Sequence, residues 1–382
     1  MKTVIYFDNA ATTMPDRDVL NTFVKVNETM YFNPSSPHKL GLQAEKLLAK
    51  SKFEIKRALG LADKWDMIFT SGATESNNIA LKGVAYKKRA FANEIITSLL
   101  EHPSVLETVR ALETEGFKVR YVNITPEGKI DLDHFESLLN SQVGLVTCMH
   151  VNNIMGQVQP IAEMAERIKA YPKIHFHVDA VQAIGKVPLQ FEGVDSLSLS
   201  GHKFHGLKGQ GILFLNNIHQ LVPIVHGGGQ EYQLRSGTVN LPMNIALVKA
   251  IRKAVEQQEQ TAQHLRQVNS DIRECVSHYP GVTVHSPSSA APHILNLGFP
   301  GVKGEVLVNA FSKYEVMLST TSACSSRRDK LNEVLQAMRI PDKQIEGSIR
   351  LSFSSQTTRE SVEQFKEIFS NVYDEIKEIL KK

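Results

Sequence analysis

Short apolar runs that alternate with longer stretches of helical periodicity constrain the fold of this chain more than any other feature. Apolar side chains repeat at three- and four-residue spacing over residues 40–59, which predicts a helix. Runs of strand type follow at 144–151, 174–178, 194–199 and 211–215. Strands separated by helices favour an α/β fold with a mainly parallel sheet, and such sheets bind ligands at the carboxyl ends of their strands.

The length of the chain predicts two domains. Its 382 residues exceed one ordinary domain. A polar helical region over 244–278 leads into short strands and helices, a pattern typical of a smaller α+β domain. We predict a large cofactor-binding domain over residues 15–255, and a small domain that combines residues 1–14 and 256–382. The last helix should open at Thr357, with Glu360 completing a capping box.

Charge and cysteine usage exclude several classes of function. The net charge of +3, from 43 basic and 40 acidic residues, is too balanced for a nucleic-acid or membrane surface. The 14 histidines form no HExxH motif and the cysteines show no paired spacing, so we predict no metal site. Three cysteines without a CxxC motif favour the reducing cytoplasm over a disulfide framework.

Two strand-like runs end in groups that suit one cofactor. The Asp179 carboxylate follows one run and the Lys203 amine follows the next. Pyridoxal phosphate forms a Schiff base with a lysine, while an aspartate keeps its pyridine nitrogen protonated. Taken alone, Lys203 could equally be a surface lysine and Asp179 a turn or helix-capping residue. The pair therefore suggests a cofactor site without establishing one.

Residues 71–76 form a turn between a predicted strand and a predicted helix. Free backbone N–H groups at such a turn bind anions, and the Thr74 hydroxyl adds a donor. An ordinary helix N-cap is the alternative interpretation. Ser200 and His202 could add further donors to a phosphate, or could simply satisfy a turn.

Four other polar side chains lie beside predicted elements. His102 precedes a helix, where an imidazole could stack on a planar ring and shuttle protons, or could be an ordinary loop histidine. Asn153 and Gln182 follow strands, and either amide could contact a cofactor ring oxygen or form a turn. Arg350 interrupts a strand pattern, and its guanidinium suits a substrate carboxylate as well as a structural ion pair.

Cys324 is the one cysteine whose sequence context favours reactivity. It lies in a small, polar segment with Arg327 and Arg328 close behind, and nearby cations lower the pKa of a thiol. Cys148 lies in an apolar run and Cys275 on a helical one, so both are expected to be buried and inert. Cys324 is therefore the candidate nucleophile.

Motifs of one enzyme family follow one another along nearly the whole chain. They are FDNAATT at 7–13, FNPSS at 32–36, TSGATESN at 70–77, MHVNN at 149–153, HVDAVQ at 177–182, SGHK at 200–203, GGGQE at 227–231, RSGT at 235–238 and SAC at 322–324. With these motifs the chain resembles the pyridoxal-phosphate-dependent cysteine desulfurases of the NifS/IscS type, within the class V aminotransferases. The resemblance implies an α/β enzyme of aminotransferase fold type I.

The resemblance also implies a role for each matching residue. Lys203 would form the Schiff base with pyridoxal phosphate, Asp179 would hold the pyridine nitrogen, and His102 would stack on the ring. Cys324 would be the nucleophile that accepts sulfur. On the cofactor ring, Gln182 would contact the hydroxyl and Asn153 would line the edge. The cofactor phosphate would be bound by Ala73, Thr74, Ser200 and His202, and in a homodimer Thr238 would reach the phosphate of the other subunit. The substrate carboxylate would be bound by Arg350 and Asn33.

The implied reaction converts L-cysteine to L-alanine and leaves a persulfide on Cys324. The sulfur would pass to an acceptor protein, either an iron–sulfur scaffold or a sulfurtransferase of tRNA thiolation or thiamine synthesis. One alternative is a selenocysteine lyase or another class V enzyme, although a transaminase needs no such thiol. The other is a non-catalytic sulfur-relay subunit, which would have little need to retain Lys203 and Asp179 together with Cys324.

Overall fold

The computed structural model of the protein describes residues 4–61, 65–321 and 331–380. The strands are β1 (Ile5–Tyr6), β2 (Asp66–Thr70), β3 (Glu94–Thr97), β4 (Lys118–Tyr121), β5 (Val143–Met149), β6 (His175–Asp179), β7 (Ser196–Ser200), β8 (Gly211–Leu215), β9 (Thr283–Val284), β10 (Ile294–Gly298), β11 (Val316–Met317), β12 (Ser319–Thr320) and β13 (Ser348–Ser352). The helices are α1 (Arg17–Thr29), α2 (Lys39–Ala58), α3 (Ala73–Lys88), α4 (Pro103–Thr114), α5 (Leu132–Leu138), α6 (Ile161–Ile168), α7 (Leu241–Glu256), α8 (Gln258–Ser277), α9 (Gly304–Ser312), α10 (Glu333–Ala337), α11 (Asp342–Glu346) and α12 (Arg359–Leu380). Three 3-10 turns cover Gly201–Lys203, Ile218–Gln220 and Glu231–Gln233.

A seven-stranded sheet forms the centre of the fold, in the order β2-β8-β7-β6-β5-β3-β4. The strands from β7 to β4 pair in parallel, which confirms the predicted mainly parallel sheet. β8 runs antiparallel to both of its neighbours, β2 and β7. Residues 201–210, which join β7 to β8, hold only a short 3-10 turn, and a parallel return would require a longer crossover.

The carboxyl ends of β2, β5, β6 and β7 meet at one edge of this sheet. β6 ends at Asp179, and the turn that carries Lys203 directly follows β7. β8 begins at the same edge with Gly211, where an added β-carbon would lie 2.5 Å from Thr70 Oγ1 and 2.6 Å from the backbone of Gly72. Only a glycine therefore lets β8 pass this close to the turn between β2 and α3.

A second apolar core lies around a smaller antiparallel sheet, β12-β13-β10-β9. Its buried side chains come from both ends of the chain, with Ile5 and Phe7 packed among residues of α8, α9 and α12. The prediction that residues 1–14 belong with 256–382 fits this packing. Leu335 and Ile345, however, pack with the core of the large sheet, and the domain boundaries stay a prediction.

Two local expectations require correction. The helical region predicted over 244–278 is two helices, α7 and α8, which meet at Gln257. The predicted capping box at Thr357 is wrong by one residue, since Thr358 Oγ1 accepts the Ser361 N–H at 3.1 Å. Thr357 Oγ1 instead accepts the N–H of Ser354 at 3.1 Å, and so closes the preceding turn. Among the helices described here, none combines the length and apolarity that a bilayer crossing demands.

Candidate active site

A cavity of about 720 Å³ opens at the edge of the sheet where the strands end. It contains the turn before α3, the end of β6, the turn after β7 and one side of the small sheet. The predicted site residues in its lining are Ala73, Thr74, His102, Asn153, Asp179, Gln182, Ser200, His202, Lys203 and Arg350. Predicted site residues as far apart in the sequence as Ala73 and Arg350 thus meet in one cavity.

Three predicted site residues are not in this lining. Thr238 and Asn33 are exposed, and Asn33 Oδ1 accepts the N–H of Ser35 at 2.9 Å. The resemblance assigns Thr238 to the site of a second subunit, so that its exposure in one chain is compatible with the assignment. Cys324 lies outside the described residues. The segment that leads to it lines the cavity as far as Thr321, three residues earlier in the chain.

One end of the cavity has the properties of an anion site. α3 begins at Ala73, and no side chain caps its first turn. Its free N–H groups and positive dipole end can therefore meet a negative charge. Ser200 is buried, and its Oγ lies 3.8 Å from the position of a β-carbon added at Gly72. Burial first, then the nearby Lys203, lowers the pKa of His202 to about 4, so that its ring is neutral.

A half-buried ion pair holds the turn that forms this anion site. Glu75 Oε1 lies 2.9 Å from Arg235 Nε, and Glu75 Oε2 accepts the N–H of Ser71. Burial would raise the pKa of Glu75, but hydrogen bonds from Arg235 and Ser71 lower it below the ordinary value. The pair ties the turn to the segment that carries Thr238. Sequence reasoning missed it, although both residues lie in the quoted motifs.

Asp179 supplies a carboxylate at another part of the lining. The residue is 5% exposed, its Oδ1 accepts the N–H of Val181 at 3.1 Å, and its Oδ2 accepts an amide hydrogen of Asn77 at 2.8 Å. Asn77 is fully buried on α3 and was not predicted as a site residue. Its position in the TSGATESN motif was the available signal.

His102 is held by the first turn of α4. Its Nδ1 accepts the N–H of Ser104 at 3.1 Å and lies 2.9 Å from Ser104 Oγ. Burial lowers the pKa of His102, although the Asp179 charge opposes this effect. Because Nδ1 accepts a hydrogen bond, the neutral ring carries its proton on Nε2.

Lys203 extends from the 3-10 turn into the cavity. Its Nζ donates to the carbonyl oxygens of Ala10 and Ala11 at 2.6 and 2.7 Å. Lys186 supports the turn from behind by donating to the Lys203 carbonyl at 2.8 Å. Burial, with the nearby Lys203 charge, lowers the pKa of Lys186 to about 7. The FDNAATT segment thus fixes the position of the Lys203 amine.

Arg350 is both part of the lining and a member of an ion pair. Its Nη2 lies 2.9 Å from Asp8 Oδ1, and its Nη1 donates to the Asn153 carbonyl at 2.9 Å. The Arg350 side chain is 10% exposed. The structure contains the ion pair that one interpretation of Arg350 predicted. Arg350 also lines the cavity, as the second interpretation, binding of a substrate carboxylate, requires. Gln182, also in the lining, donates through Nε2 to the carbonyl of Ala10 at 3.0 Å.

The two cysteines in the described part of the chain lie outside the cavity lining. Cys148 is buried as expected, and burial raises the pKa of its thiol well above the ordinary value. Cys275 is only half-buried, which corrects the expectation of full burial. Its thiol pKa is raised as well, chiefly by burial.

The chain was compared with known families, sequences and structures. The family model described as aminotransferase class-V matches residues 5–365. A protein of Lactobacillus delbrueckii subsp. bulgaricus described as a NifS/IcsS protein homolog is 40% identical, over 98% of this chain and 99% of its own. The cysteine desulfurase IscS of Dictyoglomus turgidum is 35% identical, over 99% of this chain and 97% of its own.

Solved structures give the same result. A NifS-like protein superimposes with a TM-score of 0.91 at 35% identity, and the match covers 97% of this chain and 100% of that one. The structure of SspA in complex with cysteine superimposes with a TM-score of 0.80 at 31% identity, over 92% of this chain and 99% of that one.

Proposed function

The chain belongs to the class-V aminotransferase family, and from that premise we propose that it is a pyridoxal-phosphate-dependent cysteine desulfurase. One observation carries the proposal. A single cavity brings together an uncapped helix N-terminus, the Lys203 amine and the Asp179 carboxylate. These are the three groups that the phosphate, the aldehyde and the pyridine nitrogen of that cofactor require.

The lining residues fit the cofactor chemically. The turn before α3 offers backbone N–H groups, and Thr74, Ser200 and His202 add side-chain donors for a phosphate. Asp179 is an acceptor for a protonated ring nitrogen. Gln182 and Asn153 lie in the same lining, and the His102 ring is neutral and free to stack on an aromatic face. We therefore assign these residues to pyridoxal phosphate.

Pyridoxal phosphate, when bound, supplies an electron sink that stabilises negative charge on the Cα of an amino-acid substrate. The protein's part is to hold and move protons around that atom. The Asp179 carboxylate favours a positive charge on the ring nitrogen. The Lys203 amine, fixed by the carbonyls of Ala10 and Ala11, is placed to exchange a proton with the substrate.

The substrate that we propose is L-cysteine, the ligand named in one solved relative. Arg350 would bind its carboxylate through the guanidinium, with Asn33 as a second, predicted contact. The sulfur step rests on Cys324, which lies outside the described residues. Its thiolate attacks the substrate sulfur, the Cβ–S bond of the substrate breaks, and an S–S bond forms on Cys324. The electron pair of the broken bond stays with the substrate carbon, which takes up one proton, so that the products are L-alanine and a protein persulfide.

The persulfide sulfur would then pass to an acceptor protein. We propose an iron–sulfur scaffold or a sulfurtransferase of tRNA thiolation or thiamine synthesis as that acceptor. A homodimer, in which Thr238 reaches the phosphate of the other subunit, completes the proposal. Cytoplasmic location is part of it too, on the basis of three cysteines with no paired spacing.

A cysteine-dependent alanine assay with mass spectrometry tests this function. Wild-type protein should release alanine, and brief exposure to cysteine should add one sulfur to the peptide that contains Cys324. Cys324→Ser should keep the cofactor absorbance and lose alanine release, since a hydroxyl cannot hold a persulfide. Cys148→Ala is the matched control and should retain activity. Sulfur on Cys148 or Cys275, or full activity of Cys324→Ser, would show a different class V enzyme.

A further inference from the structure

A chain of buried polar side chains leads away from Asp179 behind the wall of the cavity. It begins at Asn77, whose Nδ2 lies 2.8 Å from Asp179 Oδ2 and whose Oδ1 lies 3.0 Å from His177 Nε2. His177 Nδ1 lies 2.8 Å from Ser196 Oγ, which in turn lies 2.7 Å from His175 Nε2. Asn77, His177, Ser196 and His175 are all 0% exposed.

Asp179 determines which group donates and which accepts in each hydrogen bond of this row of buried side chains. A carboxylate oxygen only accepts, so the amide nitrogen of Asn77 must face Asp179, and the amide oxygen must face His177. His177 therefore donates through Nε2. A neutral imidazole has one protonated nitrogen, so His177 Nδ1 accepts from the Ser196 hydroxyl. The Ser196 oxygen is then left to accept from His175 Nε2.

The two histidines meet the condition that this argument requires. Burial, with a smaller contribution from His175, lowers the pKa of His177 to about 3. Burial also lowers the pKa of His175, against the opposing charge of Asp195. Both rings are therefore neutral at physiological pH. The outer end of the network is Gln220, whose Oε1 lies 2.6 Å from His175 Nδ1. Because His175 Nδ1 accepts when Nε2 donates to Ser196, the direction requires the Gln220 amide to be turned so that its nitrogen faces the ring.

A branch of the same network reaches His102. The second hydrogen of Asn77 Nδ2 is directed to Ser104 Oγ at 2.9 Å. Ser104 accepts this hydrogen and donates its own to His102 Nδ1, also at 2.9 Å. One amide group therefore contacts Asp179 directly and, through the Ser104 hydroxyl, adds a second donor to the His102 Nδ1 that already accepts the Ser104 backbone N–H.

We propose that Asn77 is a positioning residue of the active site, which holds Asp179 and His102 in one arrangement relative to the cofactor. The buried chain through His177, Ser196 and His175 keeps the Asn77 amide from turning over. The inference rests on the proposed function, which gives Asp179 and His102 their roles towards pyridoxal phosphate. The direction of the hydrogen bonds, in contrast, depends only on the protein.

That direction is tested on wild-type, full-length protein labelled with 15N-histidine. NMR should show His177 protonated on Nε2 and His102 protonated on Nε2, with His177 unchanged between pH 6 and pH 8. A His177 protonated on Nδ1, or one that titrates in this interval, would overturn the proposal. This measurement requires no variant to fold and no cofactor to be bound.

The positioning role is tested with Asn77→Leu, which keeps the size of the side chain and removes its donors. Loss of a hydrogen bond to a charged group should weaken pyridoxal phosphate binding, measured by absorbance titration, about tenfold. The kcat should fall by a similar factor, while KM for cysteine stays within about twofold because Arg350 is not touched. Ser104→Ala removes only the hydroxyl contact to His102, whose Nδ1 keeps the backbone N–H of residue 104, and should lower kcat less than Asn77→Leu does, with cofactor affinity retained.

Asn78→Ala on the same helix is the matched control, and we expect wild-type values from it. Asn77→Ser, a smaller polar variant that cannot span Asp179 and Ser104, replaces Asn77→Leu if that variant does not fold. Wild-type cofactor affinity and kcat in the folded variant would overturn the proposal. Wild-type protein that neither binds pyridoxal phosphate nor forms alanine would instead overturn the proposed function, and the histidine NMR would still decide the direction of the chain.

Discussion

At the active site, Asp8 forms an ion pair with Arg350, the residue that we propose to bind the substrate carboxylate. Its Oδ1 lies 2.9 Å from Arg350 Nη2 and also accepts the Ser319 hydroxyl at 2.8 Å. The two charges neutralise one another in a mostly buried place, where neither can be removed without leaving the other uncompensated. If Arg350 binds the substrate carboxylate as we propose, the carboxylate must share the guanidinium with Asp8, and substrate affinity should depend on both residues.

Opposite effects on KM are expected from the two members of this pair. Arg350→Ala removes a charge-assisted contact and should raise KM for cysteine about tenfold or more, with cofactor absorbance retained. Asp8→Asn keeps a hydrogen-bond acceptor and removes the competing charge, so KM should fall. Steady-state kinetics and an absorbance spectrum measure both. If Asp8→Asn raises KM as much as Arg350→Ala does, Arg350 does not bind the substrate carboxylate directly.

Glu101 should make stability depend on pH. Burial first, and then the Asp179 charge, raises the pKa of Glu101 from 4.5 to about 8. Between these values the folded protein keeps a proton that the unfolded chain releases, so the free energy of unfolding falls as pH rises from about 4.5 to about 8. Glu101→Gln is uncharged throughout and keeps the oxygen that accepts the Met149 N–H.

We therefore expect the stability of Glu101→Gln, relative to wild type, to increase as the pH rises from 5 to 8. A difference of one in pKa corresponds to about 1.4 kcal/mol. Urea unfolding at pH 5 and at pH 8 measures the difference in the free energy of unfolding between Glu101→Gln and wild type. A constant difference between the two proteins would show that Glu101 is ionised in the folded state over this range.

Among the secondary-structure elements, the N-termini of α3 and α12 differ in whether a side chain caps them. α3 has no side-chain cap, which leaves its first N–H groups to an anion in the cavity. α12 is capped by Thr358, whose Oγ1 accepts the N–H of Ser361. A cap of this kind stabilises a helix, whereas an uncapped terminus at the edge of a cavity is available for binding. A helix N-terminus thus stabilises the fold in one place and is available to a ligand in the other.

Thr358→Ala should destabilise the protein by about 1 kcal/mol, because the first turn of α12 loses its cap. Thr358→Ser retains the hydroxyl and is the matched control. Glu360→Ala should be close to neutral, since Glu360 is exposed and its one recorded side-chain hydrogen bond is from Gln364. Urea midpoints compare the three variants. A loss in Glu360→Ala equal to that in Thr358→Ala would restore the capping box first predicted at Thr357.

At the scale of the whole molecule, the N-terminal segment connects the core around the small sheet with the active site. β1 pairs with β11 in a separate two-stranded sheet, and the ring centroid of the buried Phe7 lies 5.1 Å from that of Phe353 and 5.2 Å from that of Phe365. A few residues later, the carbonyls of Ala10 and Ala11 receive Lys203. The core around the small sheet therefore helps to determine where the Lys203 amine lies.

Phe7→Ala should destabilise the protein by about 3–5 kcal/mol, because the substitution leaves a cavity in this core. We also expect weaker cofactor binding, since Ala10 and Ala11 lose their anchor. Urea unfolding and absorbance titration are the two measurements. Val4→Ala, at a residue that is 53% exposed, is the control. If Phe7→Ala lowers stability but leaves cofactor affinity intact, the position of Lys203 does not depend on the small core.

The order of residues along the chain was enough to predict the elements and the chemistry near their ends. Local periodicity predicted the parallel sheet, because each strand or helix must bury an apolar face whose spacing is visible along the chain. It also placed Asp179 and Lys203 beside the ends of neighbouring strands. Lys203, Ser200 and His202 were found because they share one short motif. Sequence context marked Cys324 as the candidate nucleophile, and family resemblance added Thr238 and Asn33; the roles of all three stay predictions.

Contacts between groups that are distant in the sequence depend on the packed fold. Asn77 reaches Asp179 across 102 residues, and Asp8 reaches Arg350 across 342. No local pattern encodes such a contact, because it depends on how several packed elements lie relative to one another. The protonation states of Glu101, which keeps its proton, and of His177, which is neutral, were also not predictable, since they follow from burial that the sequence does not display.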